Sequence, residues 1–569
     1  MMNRLWFLIL FFMLLSPASS WGQNQIAGYT GEQALQYGER MYREGILPSG
    51  VPMKATVMGD IPMDGRMFTC DDCHQRSGIG SNEGTIITWP TNGKELFRPR
   101  TQTGAYREPQ EQVQSSGRKS LPPYYRREPA RPAYTDETLA RVLRSGIDPT
   151  GRKLDPVMPK YRFNKDNMAV MVHYLKNLSS EPSPGVNDTY LNLATIITEE
   201  VAVDKQEAML DVLTAYVDAH NSQSRHEEKR ARSGPFYKSE KHQSYRRIKL
   251  HVWTLVGPAS SWAQQLEDYY SGQPVFAFVG GISESSWEPV HQFCEKNEIP
   301  SVFPLTDFPV VSDSDWYTLY FSKGFHQEGE SAAKYIRRTY ADGQDIRIVQ
   351  VYDSTKPESA ALYQGFHTTW GTFNLAPLEN LDISKVGFAG VKQAVQDLDQ
   401  SGVVIVLTWL DQDGFSKVLR ESEMQGAVKG FLSSSSLQGE NLEYLLKYKD
   451  KILLTYPASI SRDKKSSRFA VEQWLKARNI EQKHFTIEAK TYFLGWMLTG
   501  AIKSMRSEFF REYFMEGFDM MIDQDYAIAV YPRLTFGPAQ RYASKGCYLV
   551  QLSEDPEKRL WPVSDWVIY

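Results

Sequence analysis

Cysteine is scarce in this chain, with four among 569 residues. That is too few for the disulfide framework that substitutes for a core in small secreted scaffolds. An excess of either charge is also lacking: 64 lysines and arginines face 68 aspartates and glutamates, a net of −4. Such a balance gives no general case for binding nucleic acid or an anionic membrane surface. Long apolar runs are missing after the first two dozen residues. The strongest later one, residues 403–410, has the length of a buried strand, well short of the roughly 20 residues a spanning helix needs. Apolar residues at 41% and charged residues at 23% are ordinary for a globular protein and exclude fibrous, disordered and multi-pass membrane classes. The length predicts more than one domain.

The opening residues do hold one apolar run. Arg4 precedes residues 5–15, and the small residues Ala18, Ser19, Ser20 and Gly22 follow. This charged, apolar, small-residue order predicts a secretory signal peptide over 1–22, removed between about 20 and 23. No cysteine lies near the site to carry a lipid. The expectation is a periplasmic protein with no integral membrane segment once the signal is removed.

Residues 24–180 read as one unit. Helical spacing begins near Thr30, and two further helical stretches cover 135–146 and 164–178, opened by the N-cap residues Thr135 and Asn164. Residues 181–188 form a linker rich in proline and small polar residues. From 189 to 569 apolar strand candidates alternate with amphipathic helices: 191–197, 248–257, 274–282, 346–353, 402–409, 428–436 and 451–458. That alternation implies parallel sheets covered by helices, and the length implies two lobes.

Two of the four cysteines decide the chemistry. Cys70-Asp71-Asp72-Cys73-His74 is a C-x-x-C-H motif, in which two thiols form thioethers to haem vinyl groups and the following imidazole reaches the iron. A zinc site needs more ligands, and Cys294 and Cys547 lie beyond the linker. A redox dithiol would follow a strand in a compact α/β domain, whereas these surroundings are helical. One covalent haem c is therefore expected. Its sixth iron ligand would be Met158, in a loop stiffened by Pro156 and Pro159, and a filled sixth position suits electron transfer rather than substrate chemistry. Met168 and Met171, at i and i+3 of the last helix, read as core.

Taken together, an N-terminal helix, CDDCH, a long loop, VMPKYRF and a closing helix resemble the class I cytochromes c. The resemblance implies an all-α domain with a low-spin haem iron held by His74 and Met158. It departs from the smallest members in the His74-to-Met158 separation of 84 residues. The excess falls in 85–133. Within it, residues 98–131 carry eight lysines or arginines, with Lys94 just before, against Glu108, Glu111 and Glu128. This loop reads either as a solvated cover or as a surface that docks an acidic redox partner or pairs with haem propionates.

Beyond the linker, LNLATIITEE, VFAFVGGISESSWEPVHQFCEKNEIPSVFPLTD and IRIVQVYD resemble the type I periplasmic substrate-binding proteins of ABC transporters. The resemblance implies a two-lobed α/β fold, with a small ligand such as an amino acid or small organic acid held at the GGIS turn. Ser283, Ser285 and Ser286 are then the pocket residues, with Tyr352 at the end of its strand. The basic insertion 224–247 reads as a surface flap, not a nucleic-acid site. Cys294 and Cys547 stay unassigned between free thiols and a disulfide.

The expected function is that of a periplasmic electron carrier, not an enzyme, coupled to a module that binds a small ligand or docks a redox partner. The alternative is an ABC-type solute receptor or sensor with an accessory haem domain.

Overall fold

The computed structural model describes residues 25–83, 86–100, 130–232, 246–340, 346–375, 378–397, 403–422, 428–439, 441–460, 465–521, 524–555 and 559–568. The expected signal segment, most of the basic loop (101–129) and residues 233–245 of the basic insertion lie outside them. Among the described residues no helix is long and apolar enough to cross a membrane. The chain divides into two units, Met1–Glu181 and Pro182–Tyr569.

Local sequence sets the helices of the first unit. Thr30 opens the helix Gly31–Glu44 with a capping box: its hydroxyl accepts from the Gln33 N–H at 3.2 Å, and the Gln33 side chain accepts from the Thr30 N–H at 3.1 Å. Thr135 and Thr138 repeat the device at Asp136–Ser145, and Asn164 caps Lys165–Asn177. The first two helices stop at Gly45 and Gly146, both at φ 69°, a left-handed conformation that favours glycine. The first and last helices touch at Gly38, where an added Cβ would lie 2.3 Å from the Cβ of Tyr174. Met41, Tyr42, Leu139, Leu143, Met168, Met171 and Leu175 fill the core between them.

This unit is not all-helical, as its resemblance implied. Strands β1 (Lys54–Val57) and β2 (Ile61–Asp64) pair antiparallel, and β5 (Lys160–Tyr161) adds to β1. A separate hairpin joins β3 (Asn82–Glu83) to β4 (Ile86–Ile87). Strands of two to four residues are too short for hydrophobic alternation to register.

The ends of the long basic loop are pinned. Arg100 and Arg131 exchange backbone hydrogen bonds of 2.8 and 3.0 Å. The Arg131 guanidinium, only 5% exposed, donates to the carbonyls of Glu95, Leu96, Arg98 and Pro132 and lies over the Tyr134 ring. Arg131 is thus a buried clamp at the base of the loop, not one of the solvated or docking cations expected from the charge run.

The second unit contains two parallel sheets. The first has β6 (Tyr190–Thr198), β7 (Arg247–Leu255), β8 (Ala277–Val279), β9 (Ser301–Val302) and β10 (Thr318–Leu319), in the order β7-β6-β8-β9-β10. The other has β11 (Ile346–Tyr352), β12 (Leu378–Asp382), β13 (Val403–Trp409), β14 (Val428–Ser434) and β15 (Ile452–Tyr456), in the order β12-β11-β13-β14-β15. Each therefore runs second, first, third, fourth, fifth, and each places a topological switch beside its first strand. Near-continuous burial along β6 and β13 is what strands covered on both faces require. Antiparallel β18 (Gly546–Leu552), β19 (Leu560–Pro562) and β20 (Val567–Ile568) extend the second sheet, while β16 (Asp525–Tyr526) and β17 (Leu534–Thr535) pair apart from it.

Two lobes result, and the chain passes between them three times. Phe321 belongs to the first lobe's core and Ala332 to the second's; Leu454 lies in the second, Val471 to Ala543 return to the first, and Leu549 is again in the second. Arg511, 5% exposed, fastens the returning segment. Its guanidinium donates to the carbonyls of Val275 (2.6 Å), Phe276 (3.0 Å), Asn297 (3.2 Å) and Glu298 (3.2 Å) and to the Tyr270 hydroxyl (3.0 Å). Arg511→Leu strands buried acceptors that each cost roughly 1–3 kcal/mol when unpaired. The expected result is a loss of about 3 kcal/mol or more in the second unit, read as a lowered urea midpoint.

Candidate functional site

The C-x-x-C-H motif folds as one helical turn, Asp71–His74. Thr69 starts it: its N–H donates to Asp72 at 2.8 Å and its hydroxyl to Asp71 at 2.6 Å. The His74 N–H closes the turn on the Cys70 carbonyl at 2.9 Å. Residues three and four apart on a helix share a face, so Cys70 is brought to the same side as Cys73 and His74.

All three line one cavity of about 480 Å³, and Met158 lines it too. Leu96, Leu139, Val142, Leu143, Phe163 and Leu175 supply apolar wall. Met158 is held by a turn around Asp155, whose side chain accepts from the Val157 N–H and whose carbonyl accepts from the Met158 N–H, both at 3.0 Å. The Met58 N–H donates to the Pro156 carbonyl at 2.9 Å, which ties this turn to the β1–β2 hairpin.

His74 Nδ1 lies 3.0 Å from the Trp89 carbonyl. A carbonyl can only accept, so Nδ1 carries the hydrogen and Nε2 keeps its lone pair. Burial in the cavity wall pulls the imidazole down to about 4, which keeps it neutral at ordinary pH. Cys70 is 9% exposed, and its sulfur lies 3.6 Å from the Tyr161 hydroxyl. Burial pushes its thiol up to about 12. A catalytic or redox dithiol needs the opposite shift, toward the thiolate. Cys294 and Cys547 are free and buried in the second unit. Among the described residues no group of three or more His, Cys, Asp or Glu is placed to hold a metal ion.

In the second unit the expected pocket serines meet a partner from their own chain. Glu200, just beyond β6, presents Oε1 to the Thr198 hydroxyl at 2.7 Å, the Ser283 hydroxyl at 3.2 Å and the Ser285 N–H at 3.2 Å. Partial burial opposes the charge, but these donors outweigh it and hold the Glu200 carboxyl below the ordinary glutamate range. Ser286 accepts from the Glu288 N–H at 3.3 Å, at the start of the helix Glu288–Lys296. Tyr352 does not join these serines. It lies in the other lobe, stacked on Tyr363 with ring centroids 3.9 Å apart, and burial raises its hydroxyl to about 12.

Glu328 escaped the sequence reading. It is 2% exposed, on the helix Phe325–Tyr340, and accepts hydrogen bonds from the hydroxyls of Ser434 (2.8 Å), Ser436 (2.7 Å) and Thr455. The serine run 433–436 behind a buried strand is the signal that could have pointed to a buried acceptor.

No protein-family model matches this chain, and no curated protein does. Solved structures similar to it include the leucine-binding protein LivK from Thermotoga maritima, at 11% identity over 66% of this chain and 99% of that one, TM-score 0.42. A solute-binding protein of an ABC transporter from Rhodopseudomonas palustris, in complex with p-hydroxybenzoic acid, is 13% identical over 67% of this chain and 97% of its own, TM-score 0.44. An ABC transporter substrate-binding protein from Sphaerobacter thermophilus is 12% identical over 67% and 98%, TM-score 0.45. At such scores these likenesses carry no argument of their own, and the two-lobed topology rests on the strand orders above.

Burial raises the Glu328 carboxyl to about 7 despite its three hydroxyl donors, and Asp307 adds repulsion in the same direction. The folded state thus binds this proton more tightly than the unfolded chain, whose value is about 4.3. The stabilisation is complete below about 4.3 and is lost as pH rises through the folded value. The urea midpoint of the second unit should fall between pH 5 and pH 8, and Glu328→Gln should flatten that slope.

Proposed function

We propose that this protein is an exported c-type cytochrome that carries electrons through one covalently held haem, joined to a two-lobed unit of the solute-binding kind. The observation that carries this reading is the meeting of Cys70, Cys73, His74 and Met158 at one largely apolar cavity. Its volume lies within the roughly 300–1,000 Å³ of cofactor sites. The donor set fits: two thiols on one face for thioethers, a neutral imidazole with Nε2 available, and a thioether on a braced turn. Cys70 and Cys73 would attach the group, and His74 and Met158 would hold its iron. When bound, haem supplies a one-electron iron couple. With His74 and Met158 both holding the iron, no position would be left for substrate, and the first unit would serve electron transfer rather than an enzymatic reaction. Its partner is then a redox protein of the periplasm.

The second unit favours a binding role. Two lobes of one doubly wound strand order support it, because such folds take ligands outside the carboxyl ends of their strands. This supports a second reading, an ABC-type receptor or sensor with an accessory haem, for an amino acid or small organic acid. A carboxylate ligand at the GGIS turn would have to displace Glu200 from Ser283 and Ser285.

The test is expression in a bacterial periplasm equipped for haem attachment. Wild type should hold haem through denaturation and give a low-spin spectrum. Met158→Ala should lose that spectrum and lower the midpoint potential, because thioether ligation raises it. A high-spin wild-type spectrum would sink the electron-transfer reading. A small acid or amino acid that raises the melting temperature without moving the potential would favour the receptor reading.

A further inference from the structure

Tyr161 is 2% exposed and belongs to β5, three residues after Met158. Its ring stacks on Phe163, with centroids 5.1 Å apart and planes 8° apart. Among the described residues its hydroxyl has one hydrogen-bond partner, the Cys70 sulfur at 3.6 Å. A buried phenol without a partner is costly, and this contact offsets that cost. Tyr42, another buried phenol lining the cavity, differs: its hydroxyl donates to the Gln75 carbonyl at 2.8 Å.

As long as Cys70 is a thiol, either group can donate. Attachment removes that ambiguity. When the S–H bond adds across a vinyl group, a C–S bond forms and the hydrogen passes to the neighbouring vinyl carbon, with no net oxidation. The resulting sulfur can only accept, so the Tyr161 O–H must donate to it.

We propose that Tyr161 is a positioning residue of the haem site, whose hydroxyl donates to the Cys70 thioether sulfur and thereby raises the midpoint potential. The inference rests on the haem reading of this cavity. A donor presents its positive end to the sulfur and the ring attached to it. In a water-poor site that dipole favours the electron-rich, reduced state. Tyr161 also couples the two ends of the site, since β5 continues directly from the turn that carries Met158 and pairs with β1.

The experiment is a redox titration of the full-length haem-loaded protein as wild type, Tyr161→Phe, Cys70→Ala and the double variant. Tyr161→Phe keeps the ring and its stacking, and removes only the hydroxyl. The expected result is a lower midpoint in Tyr161→Phe, with no further shift when the same change is made in Cys70→Ala, where haem is held by Cys73 alone. An unmoved midpoint in Tyr161→Phe overturns the proposal. So does an equal shift in both backgrounds, which would mean that the hydroxyl acts on the site other than through the Cys70 sulfur. A wild-type protein without covalent haem overturns the haem reading itself, and is told apart by a colourless chain after denaturation.

Discussion

Meeting buried charged groups with partners is a constraint that shapes both units. The arginines show it most plainly. Arg131 and Arg511 are both 5% exposed, and each donates to four backbone carbonyls, Arg511 to the Tyr270 hydroxyl as well. A planar guanidinium can satisfy several such carbonyls at once, which an ammonium cannot do with the same geometry. In one unit the result closes the base of a long insertion. In the other it binds a returning segment to the first lobe. His74 follows the same rule on a smaller scale. Its bond to the Trp89 carbonyl satisfies one ring nitrogen and leaves the other as a base.

Glu200 and Glu328 separate the two forces that act on a hydrogen-bonded carboxylate. Each receives three donors. Glu200 stays largely in contact with water, so its hydrogen bonds win and its proton is held weakly. Glu328 is enclosed, and loss of hydration outweighs three hydroxyls. Hydroxyl dipoles can orient a charge, yet they replace only part of the water it gives up. The consequence for binding is direct. The first lobe already holds a carboxylate at the turn where an external one was expected, and that carboxylate is its own.

What the sequence made legible was local. Two cysteines and a histidine within five residues share a face because a helical turn puts them there, and the capping residues Thr135 and Asn164 mark helix starts by chemistry confined to four positions. Strands β6, β11 and β13 announced themselves as apolar runs because both faces are covered. The hidden part was nonlocal. Ser285 meets Glu200 across 85 positions, and Glu328 meets its three hydroxyls across 106 to 127. Nothing in the serine turn itself distinguishes a donor awaiting a ligand from one already engaged. Strand β5 was hidden for another reason, since two residues carry no period.

That short strand nevertheless organises the first site. Met158 lies far from the C-x-x-C-H turn in sequence, and a flexible loop of that reach would not hold a ligand in place. Here the Asp155 turn, the Met58–Pro156 bond and the β1–β5 pairing brace it in succession. Tyr161 then carries the brace across the cavity to Cys70. A loop becomes a rigid support when its backbone is paired at both sides of the functional residue. The length of the insertion elsewhere is then of little consequence, because closing a loop costs only slowly more as it grows. The Arg100–Arg131 bridge ties the two ends of the insertion together, and the short segments around Met158 brace it against the cavity.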